Sequence, residues 1–389
     1  MKELIWDVVV VGAGSAGLSL AIDLHQTGHR VCVLEREAGF CFNPQTGYDP
    51  RIYTLTDANQ AWLSQLGVWS YLDLSRIQTL NAMQVLGDQD GRLRWSDDGY
   101  GLGVVLEGPH LQAALIKRAQ SLDTDMIHWG VEGLTHQREE RFLKISSASG
   151  QTWKTRLLVA ADGRMSPLRQ SFGLRHQVIP YGQTALVANY QACSQEEGVA
   201  YQRFLREGVL AYLPLPEQRV SIVWSLPTDV AQEYSALSPA DRLSRLNAWG
   251  IESVVLETEI SAPQLFELSK LTVKQWSVPR FTVLGDAAHG VHPLAGQGLN
   301  LGLQGAACLG RVLAQRSPGP DCGDLSLLRR YERARKESVQ RFQWVIDGLI
   351  NMHQKDQLGR VFWRNRGMTW VNQQPFLKEW LRNGANETL

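Results

Sequence analysis

FTVLGDAAHGVHPLAGQGLNLG, residues 281–302, decides how the rest of the chain is read. It opens as an apolar strand (Phe281, Val283, Leu284), breaks at Gly285 and presents one carboxylate at Asp286. It then turns at Pro293 and again at Gly296-Gln297-Gly298. Leu299, Leu301 and Leu303, with Asn300 between the first two and small residues around them, predict a helix that starts directly from that turn. A carboxylate at a strand end suits hydroxyl groups, and a glycine turn feeding a helix N-terminus suits electron-rich or anionic atoms. A large cofactor carrying both kinds of group fits. Gly285-Asp286 alone is ordinary turn chemistry, but several glycines with open amides at one turn exceed what packing requires.

The N-terminus supplies a second tool. Ile5 to Val11 is a run of β-branched character, as expected of a central parallel strand covered on both faces. Gly12-x-Gly14-x-x-Gly17 comes next, with Ser15 and Ala16 inside it, then a helical stretch to Gln26 closed by Gly28. His29 to Leu34 reads as the next strand, ending at Glu35 and Arg36. Glycines in this order let backbone approach a pyrophosphate at the helix N-terminus, and Glu35 is placed to accept from adenosine ribose hydroxyls. A bare glycine fingerprint is weak; strand, helix, strand and acid in sequence are not. An acid at 35 argues against a 2′-phosphate on this nucleotide and admits FAD or NAD, between which the 281–302 stretch favours FAD.

Further along, Cys41 to Arg51 reads as a loop carrying Asp49-x-Arg51, and Thr56 to Leu66 as a helix. Ala82 to Trp95 alternates around Asp90-Gly91 as a hairpin. Val104 to Glu107 is a short strand before a helix, Leu111 to Ser121, whose Gln112 either faces the cofactor or is simply solvated. Leu157 to Ala161 is another apolar strand, ending in Asp162-Gly163-Arg164-x-Ser166-Pro167-x-Arg169. Between about Gln177 and Phe266 the pattern turns to alternating strands with Pro-rich connections, an antiparallel sheet inserted between the Asp162 and Asp286 motifs. Tyr212, Pro214 and Trp224 are the candidates for its pocket wall, with ordinary core as the other reading, because a strand slipped by one residue presents the opposite set. After Ser317-Pro318-Gly319-Pro320 a long helix is expected from Leu325 to Gln354, its charge run facing solvent. Val361 to Leu381 mixes aromatics with cations, suited either to a bilayer surface or to packing on the first domain.

Composition narrows the classes. Lys+Arg and Asp+Glu balance at 39 each, so no global field favours nucleic acid. Five scattered cysteines without a Cys-x-x-Cys pair speak for a reducing compartment and against a disulfide frame or zinc site; no metal is expected. No run reaches the length of a membrane span and no signal-peptide pattern is seen, so the expectation is a cytoplasmic protein, with peripheral contact at the inner face of the membrane left open by the C-terminal aromatics.

Three separated motifs in this order resemble the single-component FAD-dependent aromatic hydroxylases, the para-hydroxybenzoate hydroxylase class. The run His292-Pro293-Leu294-Ala295-Gly296-Gln297-Gly298-Leu299-Asn300-Leu301-Gly302 is most similar to the ubiquinone-biosynthesis hydroxylase branch. The resemblance implies that Asp286 holds the ribityl chain, that Pro293 and the Gly-Gln-Gly turn lie against the isoalloxazine ring, that Arg51 reaches the cofactor, and that Asp162 serves FAD and a passing nicotinamide nucleotide. Where that family has Asn and often Arg after the glutamate, this chain has Gly108-Pro109-His110. The expected fold is α/β: a Rossmann-like FAD-binding domain (1–77, 99–175, 268–315), an inserted antiparallel β-sheet substrate domain (78–98, 176–267) and C-terminal helices (316–389). The expected reaction is ring hydroxylation with NAD(P)H as transient reductant and O₂, through a C4a-hydroperoxyflavin, on a prenylated phenol. The alternatives are a hydroxylase of soluble aromatics, a flavin halogenase, whose Trp-x-Trp-x-Ile-Pro element Trp276-Ser277-Val278-Pro279 matches only superficially, and a flavin-holding subunit of a biosynthetic complex.

Overall fold

The structure is a computed structural model that describes residues 4–44, 47–87, 91–96, 101–205, 208–293, 296–315 and 321–354. Its centre is the strand Ile5–Val11, in which Val8, Val9 and Val10 are wholly buried. Residues apolar on both faces belong between two layers, and here Val31–Leu34 pairs with this strand on one side and Thr152–Ala160 on the other, both parallel. Phe281–Val283 continues the parallel order beyond Thr152–Ala160. The helices Ser15–Gln26 and Gly298–Ala314 pack together beside this sheet, with Gly302 and Gly285 both against Ala16.

A second, mostly antiparallel sheet is organised on the strand His176–Ser194, flanked by Arg219–Pro227 and Gln264–Val273. Gly208–Leu215 and Val199–Leu205 extend it, and Ala82–Leu86 joins by running parallel to Val199–Leu205. The hairpin expected at 82–95 is therefore part of this sheet, although Asp90 of its turn lies outside the described residues. Gln264–Val273 runs past residue 268, where the sequence placed the return to the nucleotide domain; its pairing with the long strand continues to His176↔Val273. His289–Gly290 then adds as an edge, so the 281–302 stretch touches both sheets.

One face of the second sheet is closed by the helices Thr228–Ala236 and Pro239–Trp249, which the alternating pattern had not separated from the strands. A buried ion pair fastens them: Arg242 donates from Nε and Nη2 to Glu259 at 2.7 and 3.0 Å, Tyr190 donates to the same carboxylate at 2.9 Å, and Arg242 Nη1 reaches the carbonyls of Tyr234, Ser235 and Leu237. A buried charge pair costs desolvation unless its remaining donors are satisfied, and the helix-end carbonyls do much of that here. Trp224 and Tyr212 lie under these helices; Trp224 is fully buried with Tyr234 edge-on at 4.7 Å.

The long helix Leu325–Gln354 starts where expected and continues to the last described residue. Its charge run is not wholly a solvated face. Arg335 is buried and donates to Gln304 of the Gly298–Ala314 helix at 3.0 Å, in line with the buried stripe Leu328, Tyr331, Val339, Ile346 and Ile350. The aromatic stretch 361–381 lies outside the described residues.

Since Trp224 is core beneath two helices, Trp224→Ala is expected to lower stability by about 3–5 kcal/mol. The urea midpoint measures this, and the protein that remains folded should bind the expected cofactor as wild type does; a changed cofactor spectrum would put Trp224 at the binding cleft.

Candidate functional site

Parallel strands in register end their ladders at one level, so the turns that leave them gather along a single edge. Gly12 N donates to Leu34 O at 2.9 Å, Ala161 N to Val11 O at 2.8 Å, and Leu284 N to Ala160 O at 2.8 Å. The glycine loop, Glu35, the Asp162 turn and the Asp286 turn therefore share the carboxyl edge of one sheet, where open α/β sheets bind ligands. The approach is close: a Cβ on Gly12, whose φ is +108°, would stand 2.3 Å from Ala161 O and 3.1 Å from Asp162 Cα. At Gly14, with φ −73°, nothing lies within 4 Å of the same added atom. Gly12 is glycine because protein lies against it, whereas Gly14 opens on free space.

The polar groups around that space have few protein partners. The helix Ser15–Gln26 begins without a side-chain cap, as does Gly298–Ala314 after Gln297, so the first-turn amides of Ser15, Ala16 and Gly17 and of Gly298, Leu299 and Asn300 point out of their helices. Glu35 is drawn toward the glycine loop, accepting from Ala13 N at 2.6 Å and from Glu37 N at 3.0 Å. Asp162 Oδ1 is buried with no hydrogen-bond partner among the described residues, and burial raises that carboxyl's pKa above the usual value. Asp286 is exposed to solvent yet enclosed by protein, as a side chain at the bottom of a deep cleft is. Loss of hydration pushes its pKa up, and the nearby Arg164 charge opposes the shift.

Other candidates occupy less direct positions. Gln112 donates from Nε2 to Ala13 O at 3.0 Å and so braces the glycine loop. Arg51 is exposed and forms a two-point pair with Asp49, Nε–Oδ1 at 3.0 Å and Nη2–Oδ2 at 3.2 Å. Arg36 is exposed and pairs with Glu37 at 3.3 Å. Asn300 is fully buried with its amide engaged: Oδ1 accepts from Thr56 N at 3.0 Å and Asn59 Nδ2 at 2.8 Å, while Nδ2 donates to Thr54 O at 2.8 Å. Its side chain fixes the turn, and only its backbone N–H is directed to the cleft. Pro293 and Gly296 are partly exposed at that turn, with Thr54 facing Gly296; Leu294 and Ala295 lie outside the described residues.

Tyr212, Pro214 and Trp224 are corrected. Along His176–Ser194 the residues Gln183 and Asn189 reach His292 and Tyr48, so the odd-numbered set faces the cleft, and register carries that face to Val223 and to Ala211 and Leu213. The three named residues lie on the opposite face, Tyr212 and Trp224 within the core under the two helices. Three residues went unrecognised as parts of the site. Arg169 is buried and donates to Ala287 O at 2.9 Å and Arg164 O at 2.8 Å, tying the Asp162 turn to the Asp286 turn. Arg164 itself bonds the carbonyl and hydroxyl of Ser269, joining that turn to the second sheet. Tyr53 stands close enough to Asp286 for the carboxylate charge to raise its pKa, after the larger effect of burial. Arg169 was visible as the cation three residues beyond Ser166; nothing in sequence marks Tyr53.

Comparison with known proteins agrees with this geometry. The FAD binding domain family matches residues 6–343, and the chain belongs to it. Ubiquinone hydroxylase UbiL of Rhodospirillum rubrum is 29% identical, over 98% of this chain and 90% of its own length. The mitochondrial ubiquinone biosynthesis monooxygenase COQ6 of Danio rerio is 28% identical, over 96% of this chain and 88% of its own. Among solved structures, Pseudomonas aeruginosa PqsL in complex with 2-aminobenzoylacetate superposes with a TM-score of 0.75 at 22% identity, covering 92% of this chain and all of PqsL. The cofactor is FAD, and the cleft fits it: an open cradle at Gly14, uncapped amides at two helix ends, a buried acceptor at Asp162 with no partner among the described residues and a carboxylate at the cleft floor.

Two predictions arise. Gly14→Ala has room in the protein alone, so thermal unfolding of the apoprotein should be unchanged or slightly raised while FAD affinity drops more than tenfold by fluorescence titration; Gly12→Ala should fail to fold. Burial holds His289 and His292 neutral, pushing their pKa values from 6.5 to about 3 and about 4. The unfolded chain binds protons below pH 6.5 that the folded chain refuses, so stability should rise with pH from about 3 to about 6.5 and fall on acidification through that window. Urea midpoints between pH 7 and pH 4 measure this slope, which His289→Asn should reduce by about one proton; a flat profile would show both rings ionising freely.

Proposed function

We propose that this protein is an FAD-dependent monooxygenase that uses NAD(P)H and O₂ to hydroxylate an aromatic ring, its substrate a polyprenylated phenol of ubiquinone biosynthesis. The observation that carries the reading is the meeting of three distant turns at one sheet edge, in a chain similar over nearly its whole length to UbiL and COQ6.

The positions of the residues support the following parts. Gly12, Gly14 and the amides of Ser15, Ala16 and Gly17 receive the pyrophosphate at a helix N-terminus, and Glu35 accepts from the adenosine ribose. Asp286, only partly hydrated, accepts from the ribityl hydroxyls, and Asp162 offers its partnerless oxygen near the pyrophosphate. The amides of Gly298, Leu299 and Asn300, at the N-terminus of a 17-residue helix whose dipole favours negative charge, would stabilise charge on the flavin ring. FAD, once reduced by a visiting nicotinamide nucleotide, supplies the oxygen activation. The chain's own work is to exclude water and orient the ring. Val223, Ala211 and Leu213 give the sheet face over the cleft an apolar character that suits a prenyl-bearing ring. No side chain is assigned as a base.

No helix among the described residues is long and apolar enough to cross a membrane. A polyprenyl tail resides in a bilayer, so this reading places the protein on the cytoplasmic side with its cleft reaching the membrane surface. Purified holoprotein with a panel of prenylated and soluble phenols under ¹⁸O₂ tests the proposal. The expected result is NAD(P)H oxidation stimulated by prenyl-phenols, with one ¹⁸O in the product. Preference for soluble phenols would move the substrate class, and FAD bound without any turnover would favour a flavin-holding subunit.

A further inference from the structure

The turn that carries Pro293 is held from outside the nucleotide domain. His292 is 1% exposed, its Nε2 lies 3.0 Å from Gln183 Oε1, and its ring meets the ring of Tyr181 edge-on at 5.0 Å. Tyr181 sits in an irregularity of the long strand, where pairing with Gln264–Val273 shifts between Pro180 and Gln183 and Gly182 has φ +67°. A bulge of this kind re-aims a side chain. Here Tyr181 donates its hydroxyl to Asp347 Oδ1 at 2.9 Å, and Asp347 Oδ2 accepts from Lys270 Nζ at 2.6 Å. Asp347 belongs to the helix Leu325–Gln354. One turn earlier on the same stripe, buried Gln343 donates to Leu271 O at 3.0 Å and Gly290 O at 2.9 Å. Ile346 and Ile350 complete the stripe against Val85, Leu93, Phe204 and Val209 of the second sheet.

One helix stripe thus grips the segment before Pro293 at Gly290 and, through Tyr181, at His292, and grips the substrate-side sheet at Lys270 and Leu271. We propose that Asp347 is a positioning residue: through Tyr181 and His292 it sets the Pro293 turn against the flavin and so decides whether activated oxygen reaches the substrate or escapes. The inference rests on the monooxygenase reading. In the coupled reaction, substrate, NAD(P)H, a proton and O₂ give hydroxylated substrate, NAD(P)⁺ and water. In the uncoupled one, NAD(P)H, a proton and O₂ give NAD(P)⁺ and hydrogen peroxide. A turn held loosely leaves reduction intact and shifts flux to peroxide.

The test uses the full-length holoprotein with Asp347→Ala, Asp347→Asn and Tyr181→Phe, read by the visible circular dichroism of the bound flavin and by peroxide formed per NAD(P)H consumed. The expected result is FAD retained in all three, an altered flavin dichroism and a several-fold rise in peroxide yield for Asp347→Ala and Tyr181→Phe. Asp347→Asn should lie between, since its carbonyl still accepts from Tyr181, and Asp347→Ala should add nothing in a Tyr181→Phe background. Unchanged dichroism and peroxide yield in Tyr181→Phe, which removes a single oxygen and avoids any folding defect of Asp347→Ala, would overturn the proposal. If wild type hydroxylates nothing, the monooxygenase reading falls while the dichroism still decides whether Asp347 positions the flavin.

Discussion

The parallel register between Ile5–Val11 and Thr152–Ala160 is the constraint on which the rest depends. It aligns Val11 with Ala160, and Phe281–Val283 is aligned with the same strand through Ala160↔Val283. Three segments separated by well over a hundred residues therefore change from strand to turn at one level. Because side chains alternate, a slip of one residue anywhere in this ladder would turn a carboxylate from the cleft into the core. The fully apolar character of Val8, Val9, Val10, Leu157 and Leu158 secures burial but not register. Register is secured by the turns, where Gly12 stands against the Ala161 carbonyl at a distance no side chain tolerates.

From that edge the molecule is built outward in two directions. Arg169 locks the two acidic turns to each other with a buried cation whose bonds all run to backbone carbonyls, and Arg164 carries the lock to the second sheet. Asn300 performs the same service for the amide-bearing turn, clipping it to Thr54, Thr56 and Asn59. These neutral or cationic side chains bond mostly to main chain, with Asn59 and the Ser269 hydroxyl as the side-chain partners, so they fix geometry without adding negative charge to the cleft. The helices over the far face of the second sheet are fastened by a separate ion pair, Arg242 with Glu259, while the near face mixes apolar Val223, Ala211 and Leu213 with polar Gln183 and Asn189.

What could be read in the sequence was whatever required a particular backbone. The fingerprint at Gly12 to Gly17, the acids at 35, 162 and 286, and the Gly-Gln-Gly turn all announce themselves because tight turns and open amides tolerate few residues. The existence and start of the long C-terminal helix were legible because its periodicity is sustained over 30 residues. The facing of Tyr212 and Trp224 was not, since alternation shows two sets and only the helices Thr228–Ala236 and Pro239–Trp249 choose between them. Nor was the burial of Arg335, a cation indistinguishable in sequence from its solvated neighbours until Gln304 meets it across two helices. Tyr53 belongs to the site only through a strand pairing with Val104–Glu107 that no local pattern specifies.

The cleft also bears on the life of the empty chain. Carboxylates short of water at 162 and 286 and two helix ends without caps are liabilities until something anionic and hydroxyl-rich fills them. A ligand that binds only the folded state adds about 1.4 kcal/mol for each tenfold excess over its dissociation constant. How long a newly made copy survives in a cell is thereby tied to the supply of free FAD, and scarcity of the cofactor would thin the population of this protein before it slowed any surviving molecule.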